Sequence, residues 1–275
     1  MPQTQIEKYE AFRALHEGPG TFVIPNPWDV GTARTLTNLG LSALATTSSG
    51  LAIGLGRRSS AREVSREEVI ENARGIVEAT HLPVSADLED CFGDTPEDCA
   101  ETMRLAAATG LVGGSIEDAN GARATPIYDF SEAVERVTAV CEAVKDQPII
   151  VTARADNFIN GRPDLDDTIE RLRAFSAAGA DVLYAPALPS LEAIRTVCEA
   201  VDKPVNVVMG LTGPVFTVEE LQEAGVRRIS VGGAFARAAM GAFVRAAREV
   251  AEKGSFEFAA DALPGAEIRR LLTRG

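Results

Sequence analysis

The sequence predicts a (β/α)8 TIM barrel, an α/β fold, on three observations. The chain has 275 residues, close to the roughly 250 that are typical of this fold. Eight short, continuously apolar runs alternate with helical stretches, which is typical of parallel strands buried on both faces. Gly110, Gly179 and Gly225 each follow a helical stretch and precede a strand, where a left-handed helix stop is expected. We therefore expect one barrel domain over residues 1–275, with a doubly wound open sheet as the alternative.

The apolar runs give the positions of the eight predicted strands. They are Thr21–Pro25, Ala43–Thr47, Pro83–Asp87, Val112–Glu117, Pro148–Arg154, Asp181–Ala185, Pro204–Val208 and Arg228–Gly232. Two predicted segments lie outside this repeat: an N-terminal helix over 5–17 and a C-terminal helical extension over 256–274.

Capping signals place the starts of the intervening helices. Ser65 and Glu68 form a capping-box pattern, and Pro96 follows Thr95 at a first helical position. The remaining predicted N-caps are Asp29, Ser131, Asp164, Ser190 and Thr217.

Composition excludes several function classes. The net charge of −13 argues against a nucleic-acid or anionic-membrane partner. The chain has no run of 18 apolar residues and no signal-peptide pattern, so we expect a cytoplasmic protein. Its four cysteines form no Cys-x-x-Cys pair and are joined by only two histidines, so we expect reduced thiols and no zinc site.

Carboxylates follow the predicted strands 3, 4 and 5, where a parallel barrel collects its ligands. Asp87 and Glu89 are two residues apart and would face the same side of an extended chain, and Glu117 ends the next strand. Arg154 ends strand 5 and can hold a substrate carboxylate through two parallel N–H bonds. These residue types predict Mg²⁺ and an anionic substrate. Helix caps, a solvated acidic loop and a structural salt bridge of Arg154 are the alternatives.

Weaker signals follow strands 1 and 2 and lie in strand 7. Small residues around Ser49 and Gly50 would let the backbone approach a ligand, or would form an ordinary loop. Trp28 is interpreted as a wall of the pocket or a packing residue. Asn206 is polar within an apolar strand, which indicates a partner inside the barrel.

Taken together, these segments resemble the isocitrate lyase/phosphoenolpyruvate mutase superfamily, in order over about residues 20 to 210. The matching motifs are Ile24-Pro25-Asn26-Pro27-Trp28-Asp29, Thr47-Ser48-Ser49-Gly50-Leu51, Asp87-Leu88-Glu89-Asp90-Cys91-Phe92-Gly93, Ser115-Ile116-Glu117-Asp118, Ala153-Arg154-Ala155-Asp156 and Asn206-Val207.

The resemblance implies a barrel whose last helix is exchanged between subunits, so that about residues 234–275 would pack on a partner in a homotetramer, a dimer of dimers. It implies Mg²⁺, or Mn²⁺, with Asp87 as direct ligand and Glu89 and Glu117 on metal-bound water. It also implies that Arg154, with the backbone of Gly50 and Leu51, holds the carboxylate of a 2-oxo acid. Members of the superfamily make or break C–C or P–C bonds beside that group.

Two departures from the superfamily pattern narrow the choice among the superfamily's reactions. The isocitrate and methylisocitrate lyases carry a Cys-containing catalytic loop where this chain has residues 119–127, without Cys or His. Many relatives have an Asp near Arg57 and Arg58, which leads us to expect that these arginines bind a distal carboxylate, with a solvated loop as the alternative. Cys91 stands where many relatives have Gly and could replace the missing acid/base, or simply pack.

The sequence therefore predicts a Mg²⁺-dependent lyase that cleaves or decarboxylates a 2-oxo acid, such as a dicarboxylate related to oxaloacetate, 2-oxoglutarate or isocitrate. Two alternatives stay open. One is a phosphonopyruvate-type mutase or hydrolase acting on a P–C bond. The other is a 2-oxo acid binder that has lost its acid/base.

Overall fold

Eight parallel strands form a nearly closed barrel in a computed structural model, which describes residues 3–58, 60, 63–121, 125–211 and 213–273. Hydrogen-bonded neighbours run in the order β1-β8-β7-β6-β5-β4-β3-β2. The main chain of Ala45 donates to Pro25 O at 3.0 Å, which joins the β2 edge to the end of β1. The predicted barrel is confirmed, and the open-sheet alternative is excluded.

The strands are short and lie inside the predicted runs. They are β1 Phe22–Ile24, β2 Leu44–Ala45, β3 Val84–Ala86, β4 Gly113–Glu117, β5 Ile150–Arg154, β6 Val182–Tyr184, β7 Val205–Val208 and β8 Arg228–Ser230.

Helices cover the outside and both ends of the barrel. The α-helices are α1 Gln5–Glu17, α2 Val30–Asn38, α3 Ser48–Gly54, α4 Arg66–Ala79, α5 Pro96–Ala107, α6 Phe130–Val144, α7 Leu165–Ala177, α8 Leu191–Ala200, α9 Val218–Glu223, α10 Ala234–Arg248 and α11 Gly265–Leu271. A π-helical turn Glu249–Lys253 and a 3₁₀ turn Glu257–Asp261 lie between α10 and α11.

The sequence signals for helix ends are mostly correct. Ser65 and Thr95 form capping boxes at α4 and α5, and side chains cap α2, α7, α8 and α9 as predicted. The predicted cap Ser131 is wrong, because α6 begins earlier, at Phe130, after Asp129. The three predicted stop glycines have φ values of 92°, 107° and 91°, which L side chains rarely adopt.

Helix α1 covers the N-terminal end of the barrel. Phe12 is fully buried among Ile24, Val112, Ile150 and other residues from the lower ends of the strands. The aromatic ring of Phe12 also packs edge-on against His16, with ring centroids 4.6 Å apart. The opposite, C-terminal end is therefore the open end, where the ends of the strands present their side chains.

The chain after β8 presents large apolar side chains to solvent. Phe243 and Phe256 are 66% and 67% exposed, and Phe235 and Met240 on α10 are also exposed. Packing of this segment on a partner subunit stays a prediction. Within the described residues, none of the helices has the length and hydropathy of a membrane span.

Candidate active site

Arg154 lies at the centre of a cluster of carboxylates at the C-terminal end of the barrel. Its Nη1 is 2.6 Å from Glu117 Oε2 and 3.4 Å from Asp87 Oδ1, and its Nη2 is 3.0 Å from Asp156 Oδ2. The register explains the meeting, because Glu117 and Arg154 are direct partners at the ends of β4 and β5. The structure thus brings together Asp87, Glu117 and Arg154, as the sequence predicts.

Asp87 is held in place by the first turn of α3. Its Oδ2 accepts hydrogen bonds from the main chain of Ser48 at 3.0 Å and from the Ser48 hydroxyl at 2.8 Å. The main chain of Asp87 donates to the Thr46 hydroxyl. This carboxylate is therefore fixed from two sides, by α3 and by Arg154.

The cluster holds more negative than positive charge. Burial raises the pKa of Glu117 well above its ordinary value, and the charges of Asp156, Asp87 and Glu89 add to that rise against the opposing effect of Arg154. Burial, followed by the charge of Asp87, also raises the pKa of Glu89. When these carboxylates are ionised, one guanidinium does not neutralise them, so the ionised cluster has a deficit of positive charge.

This donor set fits a hard divalent cation by its chemistry. Mg²⁺ prefers carboxylate oxygens, uses one or two of them and keeps several waters. In the described part of the chain, no three His, Cys, Asp or Glu side chains are grouped closely enough to ligate one ion. The predicted set of Asp87, Glu89 and Glu117 is thus not assembled as a three-ligand cluster. Arg154 contacts two of its three members.

A polar cavity extends from this cluster into the barrel. Its walls include Asp87 and Arg154 together with Tyr184, Asn206 and Arg228. The expectation that Asn206 faces the inside of the barrel is confirmed, since its side chain is buried and lines this cavity.

Tyr184 and Arg228 are cavity residues that the sequence reasoning missed. The Arg154 guanidinium lies 4.9 Å from the centre of the Tyr184 ring. Each of them is a polar residue in an otherwise apolar strand. Asn206 was identified by this same pattern, which would also have identified Tyr184 and Arg228.

The main-chain clamp predicted from Gly50 and Leu51 is not formed. Gly50 N donates to the Thr47 hydroxyl and Leu51 N donates to Thr47 O, so both amides serve the first turn of α3. Gly50 is required for packing, because a Cβ there would lie 2.8 Å from Trp28 Cβ. Trp28 therefore packs against α3, and Ser49 is exposed. This corrects the predicted roles of Gly50 and Leu51.

Arg57 and Arg58 lie away from the cavity. Arg57 Nη2 is 3.0 Å from Glu68 Oε1, and its Nη1 donates to Glu63 O. Arg58 Nη2 is 3.4 Å from Glu63 Oε1, and the Arg58 side chain is 93% exposed. The prediction that they bind a distal carboxylate is not supported, because nearby acids on and before α4 pair with both.

Cys91 lies in the core rather than in the cavity. It is fully buried, and its Sγ is 3.8 Å from Ser115 O. Burial raises the pKa of this thiol well above its ordinary value, so a reactive thiolate is disfavoured. The structure argues against the acid/base role. The φ of Cys91 is 64°, a backbone conformation in which glycine is the favoured residue.

The loop that replaces the Cys-containing segment is described only in part. Ala122, Arg123 and Ala124 lie outside the described residues. Ala119 and Ile127 form an antiparallel bridge at the two ends of this loop.

Comparisons with known proteins agree with this geometry. The family model described as phosphoenolpyruvate phosphomutase matches residues 12–251. A candidate lyase/mutase from Burkholderia cenocepacia J2315 is 52% identical, with a TM-score of 0.93 over 97% of this chain and 95% of that one. The solved structure of a 2,3-dimethylmalate lyase is 25% identical, with a TM-score of 0.86 over 97% of this chain and 95% of its own. The 2-methylisocitrate lyase of Escherichia coli (strain K12) is 28% identical over 79% of this chain and 75% of its own length.

The family match spans nearly all of the barrel, including every strand and the carboxylate cluster. The chain belongs to the phosphoenolpyruvate phosphomutase family, within the phosphoenolpyruvate mutase/isocitrate lyase superfamily of carbon–carbon lyases and mutases.

Proposed function

We propose that this enzyme is a Mg²⁺-dependent lyase that cleaves or decarboxylates a 2-oxo carboxylic acid. The observation that carries the proposal is the position of Arg154, a nearly buried guanidinium beside an excess of carboxylates at the open end of the barrel. The relatives named as lyases of 2-methylisocitrate and 2,3-dimethylmalate support C–C chemistry.

Different residues of the site would bind the cation and the substrate. Asp87, with Glu89 and Glu117 around it, would hold the cation. Bound there, the cation supplies positive charge to the oxygen on which charge develops during C–C cleavage. Arg154 is planar and always charged, so it would bind the substrate carboxylate bidentately, while Asp156 holds its orientation from the side. Tyr184 supports the face of that guanidinium.

A second candidate reaction is transfer or hydrolysis at a P–C bond. The match to a phosphoenolpyruvate phosphomutase model favours it, because that match covers residues 12–251. A phosphonate carries the same kind of negative charge as a carboxylate and would suit the same guanidinium.

Calorimetric titration with turnover assays tests these proposals. Pyruvate, oxalate, oxaloacetate, 2-oxoglutarate and phosphonopyruvate are titrated into the protein with Mg²⁺ and with a chelator. We expect binding of at least one 2-oxo acid that depends on Mg²⁺ and is lost in Arg154→Met. The matched control is Arg104→Met, which removes a surface arginine paired with Glu97 and Glu101.

The products distinguish the reactions. Release of carbon dioxide from oxaloacetate or 2-oxoglutarate supports the lyase. Conversion of phosphonopyruvate to phosphoenolpyruvate, or to phosphate and pyruvate, supports the P–C enzyme. Binding without turnover of any compound would contradict both and indicate a 2-oxo acid binder. Equal binding with Mg²⁺ and chelator would contradict the metal requirement.

A further inference from the structure

Arg228 is a buried cation whose hydrogen-bond partners are neutral. It is only 5% exposed. Its Nε donates to Asn206 Oδ1 at 2.8 Å and its Nη2 donates to Thr152 Oγ1 at 3.0 Å, while Nη1 is 3.3 Å from His16 Nε2. Buried arginines are normally paired with acids, because an uncompensated buried charge costs several kcal/mol. Because burying this charge is costly, we expect the Arg228 guanidinium to have a role in the cavity beside it.

The tautomer of His16 fits this arrangement. His16 Nδ1 is 2.8 Å from Phe12 O, a group that can only accept, so the ring hydrogen lies on Nδ1. Nε2 is then free to accept from Arg228. Burial and the charge of Arg228 lower the pKa of His16 to about 3, so the ring remains a neutral acceptor.

Arg228 also decides which way the Asn206 amide points. A guanidinium only donates, so the Asn206 oxygen must face it. The Nδ2 group then points the other way and donates to Ser230 Oγ at 3.1 Å, with a second hydrogen left over. Asn206 and Ser230 both line the cavity that contains Arg154.

A second donor lies beside this amide. Tyr184 is the register partner of both Arg154 and Asn206 and lines the same cavity. Burial raises the pKa of its hydroxyl to about 12, so it stays protonated, and it hydrogen-bonds with the Ser230 side chain that also accepts from Asn206. The inner end of the cavity is therefore lined by the Asn206 amide and the Tyr184 hydroxyl, and the positive charge of Arg228 lies next to Asn206.

We propose that Arg228 is a positioning residue that fixes Asn206 as a hydrogen-bond donor, so that the inner end of the cavity binds the second acidic group of a dianionic 2-oxo acid. This inference rests on the proposed function and deepens it. It replaces Arg57 and Arg58 as the source of dicarboxylate selectivity, since both of them pair with glutamates outside the cavity.

The test compares pyruvate, which has one acidic group, with oxaloacetate and 2-oxoglutarate, which have two. Dissociation constants are measured with Mg²⁺ for wild type, Arg228→Met, Arg228→Lys and Asn206→Asp. We expect Arg228→Met to weaken the better-bound dicarboxylate about tenfold or more, as for loss of a hydrogen bond to a charged group, and pyruvate less than about threefold. Arg228→Lys keeps the charge and should restore part of that loss.

Asn206→Asp separates positioning from folding. The new carboxylate would form an ion pair with Arg228, so its melting temperature should equal or exceed that of wild type. It presents oxygens to the cavity in place of an N–H donor and should lose dicarboxylate binding. This variant decides the question alone if Arg228→Met does not fold. Arg57→Ala and Arg58→Ala are the controls and should leave the ratio of the dissociation constants unchanged.

Two results would overturn the inference while leaving the proposed function intact. One is wild-type dicarboxylate affinity in Asn206→Asp. The other is equal weakening of pyruvate and dicarboxylate in Arg228→Met, which indicates a structural role only. Absence of binding of all three compounds to the wild type would instead reject the proposed function and the inference with it.

Discussion

Arg154 is the residue on which the charge balance of the site depends. It is 13% exposed and contacts three carboxylates, so its removal would leave them buried and unpaired. Lysine has a single ammonium group and cannot reproduce contacts from both Nη atoms and Nε. We expect Arg154→Lys to lower the free energy of unfolding by about 3 kcal/mol in chelator, measured by urea denaturation.

Mg²⁺ should recover part of that loss, because it would neutralise the same carboxylates. The matched control is Arg104→Lys, at a surface ion pair, with an expected change of less than about 1 kcal/mol. Equal losses of unfolding free energy in the two variants would show that the buried carboxylates do not depend on Arg154 for charge compensation.

Cys91 provides a second test at the scale of one residue. Because its thiol is fully buried and its pKa is raised, we expect iodoacetamide at pH 8 to leave it unmodified in the folded protein and to alkylate it in urea. Mass spectrometry of peptides would follow the label. Rapid alkylation in the folded state would revive the idea that Cys91 is an acid/base.

At the scale of elements, the loop after β3 carries Glu89, an acid of the proposed cation site, in an unusual backbone conformation. Glu89, Cys91 and Phe92 have φ values of 50°, 64° and 54°, each of which is costly for a residue with a side chain. Arg136 on α6 crosses to this loop and donates to Gly93 O at 2.7 Å and Asp90 O at 3.0 Å. Helix α6 thus holds the loop from behind.

Loss of that support should affect both stability and metal binding. We expect Arg136→Met to lower the free energy of unfolding by about 3 kcal/mol and to weaken Mg²⁺ binding about tenfold, measured by calorimetry. Arg173→Met is the control, because Arg173 also donates to a main-chain carbonyl, Ala200 O, but at the surface. Unchanged Mg²⁺ affinity in a folded Arg136→Met would contradict this role.

At the scale of the whole molecule, the sequence predicts those features that depend on chain order. The periodic apolar runs gave all eight strands, and acids at the ends of β3 and β4 met because adjacent parallel strands end at the same edge. The features it could not predict depend on partners distant in sequence. Arg228 meets His16, 212 residues away. Arg57 and Arg58 fail as predicted ligand residues for a different reason, because Glu68 and Glu63, which are near in sequence, pair with them.

The contact between His16 on α1 and Arg228 on β8 joins the first helix to the last strand and should make folding depend on pH. The pKa of His16 is lowered from an ordinary value of 6.5 to about 3 by burial and by Arg228. Between these two values the unfolded chain binds a proton that the folded protein does not. The wild type therefore loses stability as pH falls from about 7, by about 1.4 kcal/mol per pH unit below 6.5 for this one group.

Glutamine at position 16 offers a neutral acceptor without this titration. We expect the free energy of unfolding of His16→Gln, relative to wild type, to be constant above about pH 7.5 and to rise by about 2 kcal/mol between pH 6.5 and 5. Urea denaturation from pH 5 to 8 measures this difference, in which the many other titrating groups cancel. His81→Gln is the control, at a second histidine beyond the end of α4. A flat difference for His16→Gln would mean that His16 is protonated in the folded barrel, and the neutral contact to Arg228 would then be wrong.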